Sequence, residues 1–330
     1  MAVFDRVARP VILAASRSAR LRRTAETLSV TRRVVERFVA GDTVSDALYT
    51  VAALRNSGRL VSVDYLGEDT TDVACADRTV ATYLALLEGL AQRDESAAPV
   101  RPLEVSVKLS ALGQALARDG EKIAYENAHT ICARAQELGV WVTVDAEDHT
   151  TTDSTLAIVR DLRTEFDWLG TVLQAYLRRT EEDCREFAGK AVGPSHECSS
   201  AGARVRLCKG AYDEPATVAY RSAGEVTDAY LRCLRELMAG SGYPMVASHD
   251  PVIIDAASDM AHEYGRDGTH FEHQMLYNIR DAEQRRLAEA GRQVRVYVPF
   301  GEQWYGYFVR RLAERPANLT FFLRALAERR

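Results

Sequence analysis

Eight short runs rich in β-branched and apolar residues recur along this chain, separated by helix-patterned segments. No other feature restricts the possible folds as strongly. The runs are RLVSVDYLG (59–67), LEVSVKLSALG (103–113), VWVTVDAED (140–148), GTVLQAYL (170–177), ARVRLCKGAY (203–212), PMVASHDP (244–251), THFEHQML (269–276) and QVRVYVPFG (293–301). Strands that alternate with helices pair in parallel, because each helix carries the chain back to the start of the next strand. Eight such units over residues 58–330 match a (β/α)8 TIM-type barrel, a fold typically of about 250 residues. A doubly wound sheet is the competing arrangement. It usually carries a Gly-rich first turn, and no GxGxxG follows any of the runs.

Residues 17–56 are expected to be helical, with Leu21, Leu28, Val34, Val35 and Phe38 at helical spacing and Gly58 as a stop. The expected domains are therefore an N-terminal helical segment over 1–57 and a barrel over 58–330. The stretch GKAVGPSHECSSAGA (189–203) is rich in Gly, Ser and Ala and is expected to be a surface loop. A net charge of −5 and a pI near 5.9 argue against a nucleic-acid partner. The apolar run PVILAAS near the start is short and follows Asp5, which fits a helix better than a signal peptide. No apolar run approaches the length of a membrane span. Six cysteines, none in a CxxC, fit free thiols in a reducing cytoplasm, and no metal site is expected.

Active sites of such barrels lie at the C-terminal ends of the strands. Those ends carry Lys108, then Asp145 and Glu147, Gln174 and Tyr176, and Arg206, Lys209, Gly210 and Tyr212. Ser248, His249 and Asp250 follow, then Glu272, Gln274 and Leu276, and finally Tyr297. A strand also turns polar simply on reaching solvent, so the set says more than any single member. The last helix pattern, YFVRRLAERP (307–316), places Tyr307, Arg310, Arg311 and Glu314 at i, i+3, i+4 and i+7, one face of a helix. Two readings fit. The planar guanidinium forks can grip a small carboxylate, or the face is wet and holds an intrahelical Arg–Glu pair of little energetic weight.

Six motifs in order resemble the proline dehydrogenase family: VSVKLSALG, VTVDAED, RVRLCKGAY, VASHDP, FEHQMLYNIRD and VYVPFGEQWYGYFVRRLAERPANLTF. The resemblance runs from about residue 59 to 324 and implies a distorted (β/α)8 barrel that binds FAD without a Rossmann motif. It implies oxidation of L-proline to 1-pyrroline-5-carboxylate by hydride transfer to FAD. Electrons would pass to a membrane quinone and the product to a separate pyrroline-5-carboxylate dehydrogenase. A cytoplasmic protein, peripheral at the inner face of the membrane, would follow. Asp145 and Arg206 take the catalytic positions. Lys108, Tyr212, Leu276, Tyr297, Tyr307, Arg310, Arg311 and Glu314 match the substrate set. Ala146, Gln174, Arg206, Cys208, Lys209, Gly210, Ala211, Ser248 and His249 match flavin contacts. The chain departs from the family pattern at Cys208, Ser248, Asp250, His273, Asn278 and Ile279.

An arginine left unpaired in a closed pocket is costly. Glu314, and Glu68 when the pocket is empty, are the expected partners. Three alternatives stay open: a Schiff-base aldolase using Lys108 or Lys209, which requires an amine of lowered pKa, hydroxyproline oxidation, and a binding protein that has lost catalysis.

Overall fold

The computed structural model describes residue 35, residues 37–91, 100–189 and 202–314, with side chains through Arg310. Among the described residues α1 (Val44–Arg55) is followed by a strict alternation: β1 (Leu60–Tyr65), α2 (Val73–Ala91), β2 (Leu103–Val107), α3 (Gly120–Glu137), β3 (Trp141–Val144), α4 (Thr152–Arg163), β4 (Gly170–Gln174), α5 (Thr180–Phe187), β5 (Arg204–Cys208), α6 (Ala223–Ala239), β6 (Tyr243–Ala247), α7 (Pro251–Glu263), β7 (Glu272–Leu276), α8 (Asp281–Glu289), β8 (Val294–Phe300) and α9 (Trp304–Glu314). The strands form a closed barrel in chain order. Every neighbouring pair is parallel, and β1 closes on β8 from Leu60↔Arg295 to Tyr65↔Phe300.

Local chemistry sets the ends of these elements. Ser222 and Glu225 cap α6 reciprocally, and Asp250 accepts the Val252 N–H with Pro251 in the first turn of α7. The second run stops being a strand at Val107, earlier than the expected 113. Beyond Lys108 the chain winds into a wide helical turn, Ser110–Gln114. Gly113 supplies the left-handed φ of +114° that this turn requires.

The barrel is apolar outside and ionic inside. Val61, Val63, Val105, Val107, Val142, Val144, Val205, Leu207, Val296 and Val298 face the helices and are fully buried. The interior positions alternate with them. Four acids and four bases lie there: Asp64, Glu104, Asp145 and Glu272 with Lys108, Arg204, Arg206 and Arg295. Their formal charges cancel, and each is paired. Arg295 holds Glu272 at 2.7 and 3.0 Å, Arg204 pairs with Glu104, and Arg206 reaches Glu104 at 2.5 Å and Asp145 at 2.7 Å. Trp141 lies beside two of these cations, with the Arg204 guanidinium 3.7 Å and the Arg295 guanidinium 5.5 Å from its ring centroid.

Distortion of the barrel lies in its ends. In a regular barrel the helix after β8 packs beside β8 and β1. Here α1 takes that place, burying Ala47, Val51 and Leu54 in the main core. The freed helix α9 packs through Trp304, Tyr305, Tyr307, Phe308 and Val309 on Phe38, Val39 and Leu66, with Tyr297 and Ile279 at the edge. It therefore roofs the mouth. Residues 17–34 and 190–201, expected as helix and as most of a loop, lie outside the described residues. No helix among the described residues is long and apolar enough to cross a membrane.

The ionic interior makes a prediction. Arg295→Met leaves Glu272 buried without its bidentate partner and should cost about 3–5 kcal/mol. Urea denaturation checks this. Adding Glu272→Gln should recover part of the loss, and a single variant as stable as the parent would contradict the pairing argument.

Candidate active site

The site begins where the strands end. Lys108 follows β2, and its Nζ donates to both Asp64 oxygens at 2.7 Å, with Asp145 Oδ2 at 3.9 Å. Burial pulls this ammonium toward neutrality. Asp64 outweighs it, helped by Asp145 and Glu68, so the Lys108 pKa lies above the ordinary lysine value. Asp145 follows β3. Its Oδ1 accepts from Arg206 at 2.7 Å and its Oδ2 from the Tyr297 hydroxyl at 2.8 Å. Burial raises the pKa of this carboxyl, against the pull of Arg206 and Lys108.

Arg206 uses all five N–H groups. Nε donates to Gln274 Oε1 at 2.5 Å. Nη1 donates to Ser106 Oγ and Asp145 Oδ1, each at 2.7 Å, and Nη2 to Ser62 Oγ at 3.1 Å and Glu104 Oε1 at 2.5 Å. Its guanidinium lies 5.3 Å from the Tyr297 ring centroid.

Above this group, α9 lowers Arg310. Nη1 donates to Glu68 Oε2 at 2.9 Å and Nη2 donates to Glu68 Oε1, a fork-to-carboxylate pair. The guanidinium stands 5.4 Å from the centroid of the Tyr212 ring. Tyr307 is buried in the roof, and Leu276 is half-buried at the end of β7. The side chains of Arg311 and Glu314 lie outside the described residues, so of the two expected partners of Arg310 only Glu68 is seen.

The positions assigned to a flavin lie side by side after β3 through β6. Gln174 is buried and donates to the Glu147 carbonyl at 2.7 Å. Cys208 and Ala146 are half-buried. The Lys209 ammonium is held by Asp250 at 2.8 Å and Thr227 at 3.1 Å. Gly210 has φ +108°, and a Cβ there would meet the Tyr176 ring at 2.2 Å, so backbone packs directly on the ring and continues into Ala211. Ser248 Oγ accepts the Asp250 N–H, and His249 Nε2 accepts the Leu276 N–H at 2.9 Å, which leaves the His249 proton on Nδ1.

The proline dehydrogenase family profile matches residues 47–324. The chain is 37% identical over 300 residues to proline dehydrogenase 1 of Bacillus subtilis, covering 91% of this chain and 92% of that one. It is 38% identical over 297 residues to the proline dehydrogenase of Deinococcus radiodurans, covering 89% and 90%. The chain belongs to the proline dehydrogenase family. It is an enzyme that oxidises proline. A solved structure of proline utilization A from Bdellovibrio bacteriovorus, inactivated by N-propargylglycine, superposes with a TM-score of 0.76 at 27% identity. That match covers 86% of this chain and 33% of the larger protein.

Sequence reasoning missed several members of the enzyme's site. Asp64, the partner of Lys108, and Glu104, the partner of Arg206, were read only as parts of apolar runs. The signal was present, since a charge within a β-branched run must find a partner. His149 donates its backbone N–H at 3.0 Å to the buried Glu214, whose carboxylate also meets the Tyr176 hydroxyl at 3.3 Å. Glu214 thereby ties together the loops after β3, β4 and β5. His273, where the family pattern has Phe, is buried with both ring nitrogens lacking hydrogen-bond partners, and burial lowers its pKa to about 4.

Glu147 makes a pH prediction. Burial lifts its carboxyl from 4.5 to about 7, against the bonds from Ser110 and with Glu68 adding to the rise. Folded protein holds this proton more tightly than unfolded protein does. The associated stability is full below about pH 4.5 and is lost as pH rises through about 7. Relative to Glu147→Gln, the parent should lose about 3 kcal/mol over that window. Urea midpoints of both proteins across pH 4–8 check this, and parallel curves would overturn it.

Proposed function

We propose that the enzyme oxidises L-proline to 1-pyrroline-5-carboxylate with FAD seated across the ends of β4, β5 and β6. The observation that carries this reading is the Arg310 fork, which already holds a carboxylate, that of Glu68, above the Tyr212 ring. A substrate carboxylate can take the same place. Below it, Tyr297, Asp145 and Lys108 form a charged wall. A small zwitterion fits between a cation above and a carboxylate below.

The residues present suit the cofactor. Gln174, Lys209, Ser248 and His249 offer polar atoms from adjacent strand ends, and Gly210 leaves the backbone bare between them. When bound there, FAD supplies an acceptor for the hydride from the proline ring. The protein's own groups do the rest. Arg310 fixes the carboxylate and so orients the ring. Asp145, with its raised proton affinity, is the group to receive a proton from the prolinium nitrogen. Tyr297 donates to Asp145 and steadies it. Arg206, bonded on every N–H, contributes a fixed positive charge beside the reacting groups, damped by Glu104 and Asp145. Lys108 stays charged against Asp64, which opposes the aldolase alternative for this lysine.

Electrons would leave to a membrane quinone, and the product would pass to a separate pyrroline-5-carboxylate dehydrogenase.

Two measurements test this reading. Purified protein loaded with FAD should bleach on anaerobic addition of L-proline, and a flavin spectrum indifferent to proline would refute the assignment. Arg310→Lys keeps the charge and loses the planar fork. It should cost about 1.5–3 kcal/mol of substrate binding, roughly a 10- to 150-fold rise in KM, with flavin content kept. An unaltered KM would remove Arg310 from the substrate site.

A further inference from the structure

Of the cations at the positions matched to the flavin, Arg206 is saturated and Lys209 is not. The Lys209 side chain is 35% exposed, and its Nζ donates to Asp250 Oδ2 at 2.8 Å and to Thr227 Oγ1 at 3.1 Å. An ammonium has three N–H donors, so a third acceptor can still be taken. Asp250 is fixed on its other side. Its Oδ1 accepts the Val252 N–H at 3.1 Å and so caps α7, and its own N–H donates to Ser248 Oγ at 3.1 Å. His249, between them, is held twice. Its Nε2 accepts the Leu276 N–H at 2.9 Å, and its carbonyl accepts from Arg280 Nη1 at 2.6 Å. The turn over residues 248–250 therefore presents a rigid carboxylate to the ammonium, directly beside the positions matched to the flavin.

We propose that Asp250 is a positioning residue for the cofactor: it ties the Lys209 ammonium to the start of α7 and offsets its charge, and so limits how strongly the pocket holds the phosphates of a flavin nucleotide. The proposal rests on the flavin reading argued above. A phosphate that approaches Lys209 meets a cation already paired, and the paired carboxylate repels it. The charge of Asp250 is not needed for the helix, because asparagine caps a helix about as well as aspartate does. Asparagine keeps one side-chain oxygen for the Val252 N–H and turns an NH2 group toward Lys209, which an ammonium cannot use as an acceptor. Exchanging carboxylate for amide therefore frees Lys209 without uncapping α7. Asp250 is also one of the positions at which the chain departs from the family pattern.

The test titrates the full chain, stripped of flavin, with FAD and with riboflavin, which has no phosphate. Quenching of tryptophan fluorescence reports the Kd, and thermal melting checks that each protein is folded. Asp250→Asn should tighten FAD roughly two- to fivefold at low salt, the range of a partly exposed and screened ion pair. The gain should fade at about 0.5 M salt, which screens charges over a few ångströms and which a purely structural role would not feel. Riboflavin should bind parent and variant alike. Lys209→Met should weaken FAD and leave riboflavin nearly unchanged. If Asp250→Asn fails to fold, Asp250→Ser, which keeps a capping oxygen and loses the charge, carries the test. An FAD Kd that is unchanged or weaker in Asp250→Asn overturns the role of Asp250 and leaves the flavin reading standing. So does an equal gain for riboflavin, a gain indifferent to salt, or an FAD Kd unaltered by Lys209→Met. A parent chain with no measurable affinity for FAD sinks the flavin reading and this proposal with it.

Discussion

Saturation of Arg206 is the constraint on which the rest of the site depends. One side chain rooted in β5 takes acceptors from β1, β2, the end of β3 and β7. Five of the eight strands are therefore set by one guanidinium. Glu104 spends its other oxygen on Arg204, so the floor of the barrel and its mouth are a single network. Buried ion pairs add little net stability, because desolvation offsets their attraction. What they give here is position, since moving any member strands a charge.

The same electrostatics explain why the mouth suits a zwitterion. With Glu68 on Arg310 and Asp64 on Lys108, the described charges of the site are already paired. An anionic substrate would enter with one charge too many. A molecule with both signs can give its carboxylate to Arg310 and its ammonium to a displaced or neighbouring carboxylate. The exchange then leaves none of these charges alone in a low-dielectric space.

The barrel was legible because its alternation repeats eight times and survives errors in any one run. The strand-end residues were legible for a related reason, since in this fold position along a strand is position in the site. Boundaries were less so. The run 103–113 reads as one strand, yet Ser110 is drawn into a turn by Glu147, a partner distant in sequence. Only partly legible were Asp64, Glu104, Arg204 and Arg295: a charge within a β-branched run signals a buried partner, but which partner it meets depends on barrel stagger and not on local pattern. The place of α9 was hidden as well. An amphipathic helix reads the same whether it lies beside a barrel or across its top. Glu68 was anticipated by a charge argument alone, with no motif to mark it.

The exchange of α1 for α9 at the seam between β8 and β1 has a consequence for how the chain acquires its shape. The first strand pairs with the last, and the helix that covers their junction comes from before both. The contacts that close the barrel therefore span most of the sequence and carry a large loop-closure cost. During synthesis α1 and β1 must wait, with one flank of each uncovered, until β8 has emerged. α9 follows β8, so the pocket gains its roof only after the wall beneath it is complete.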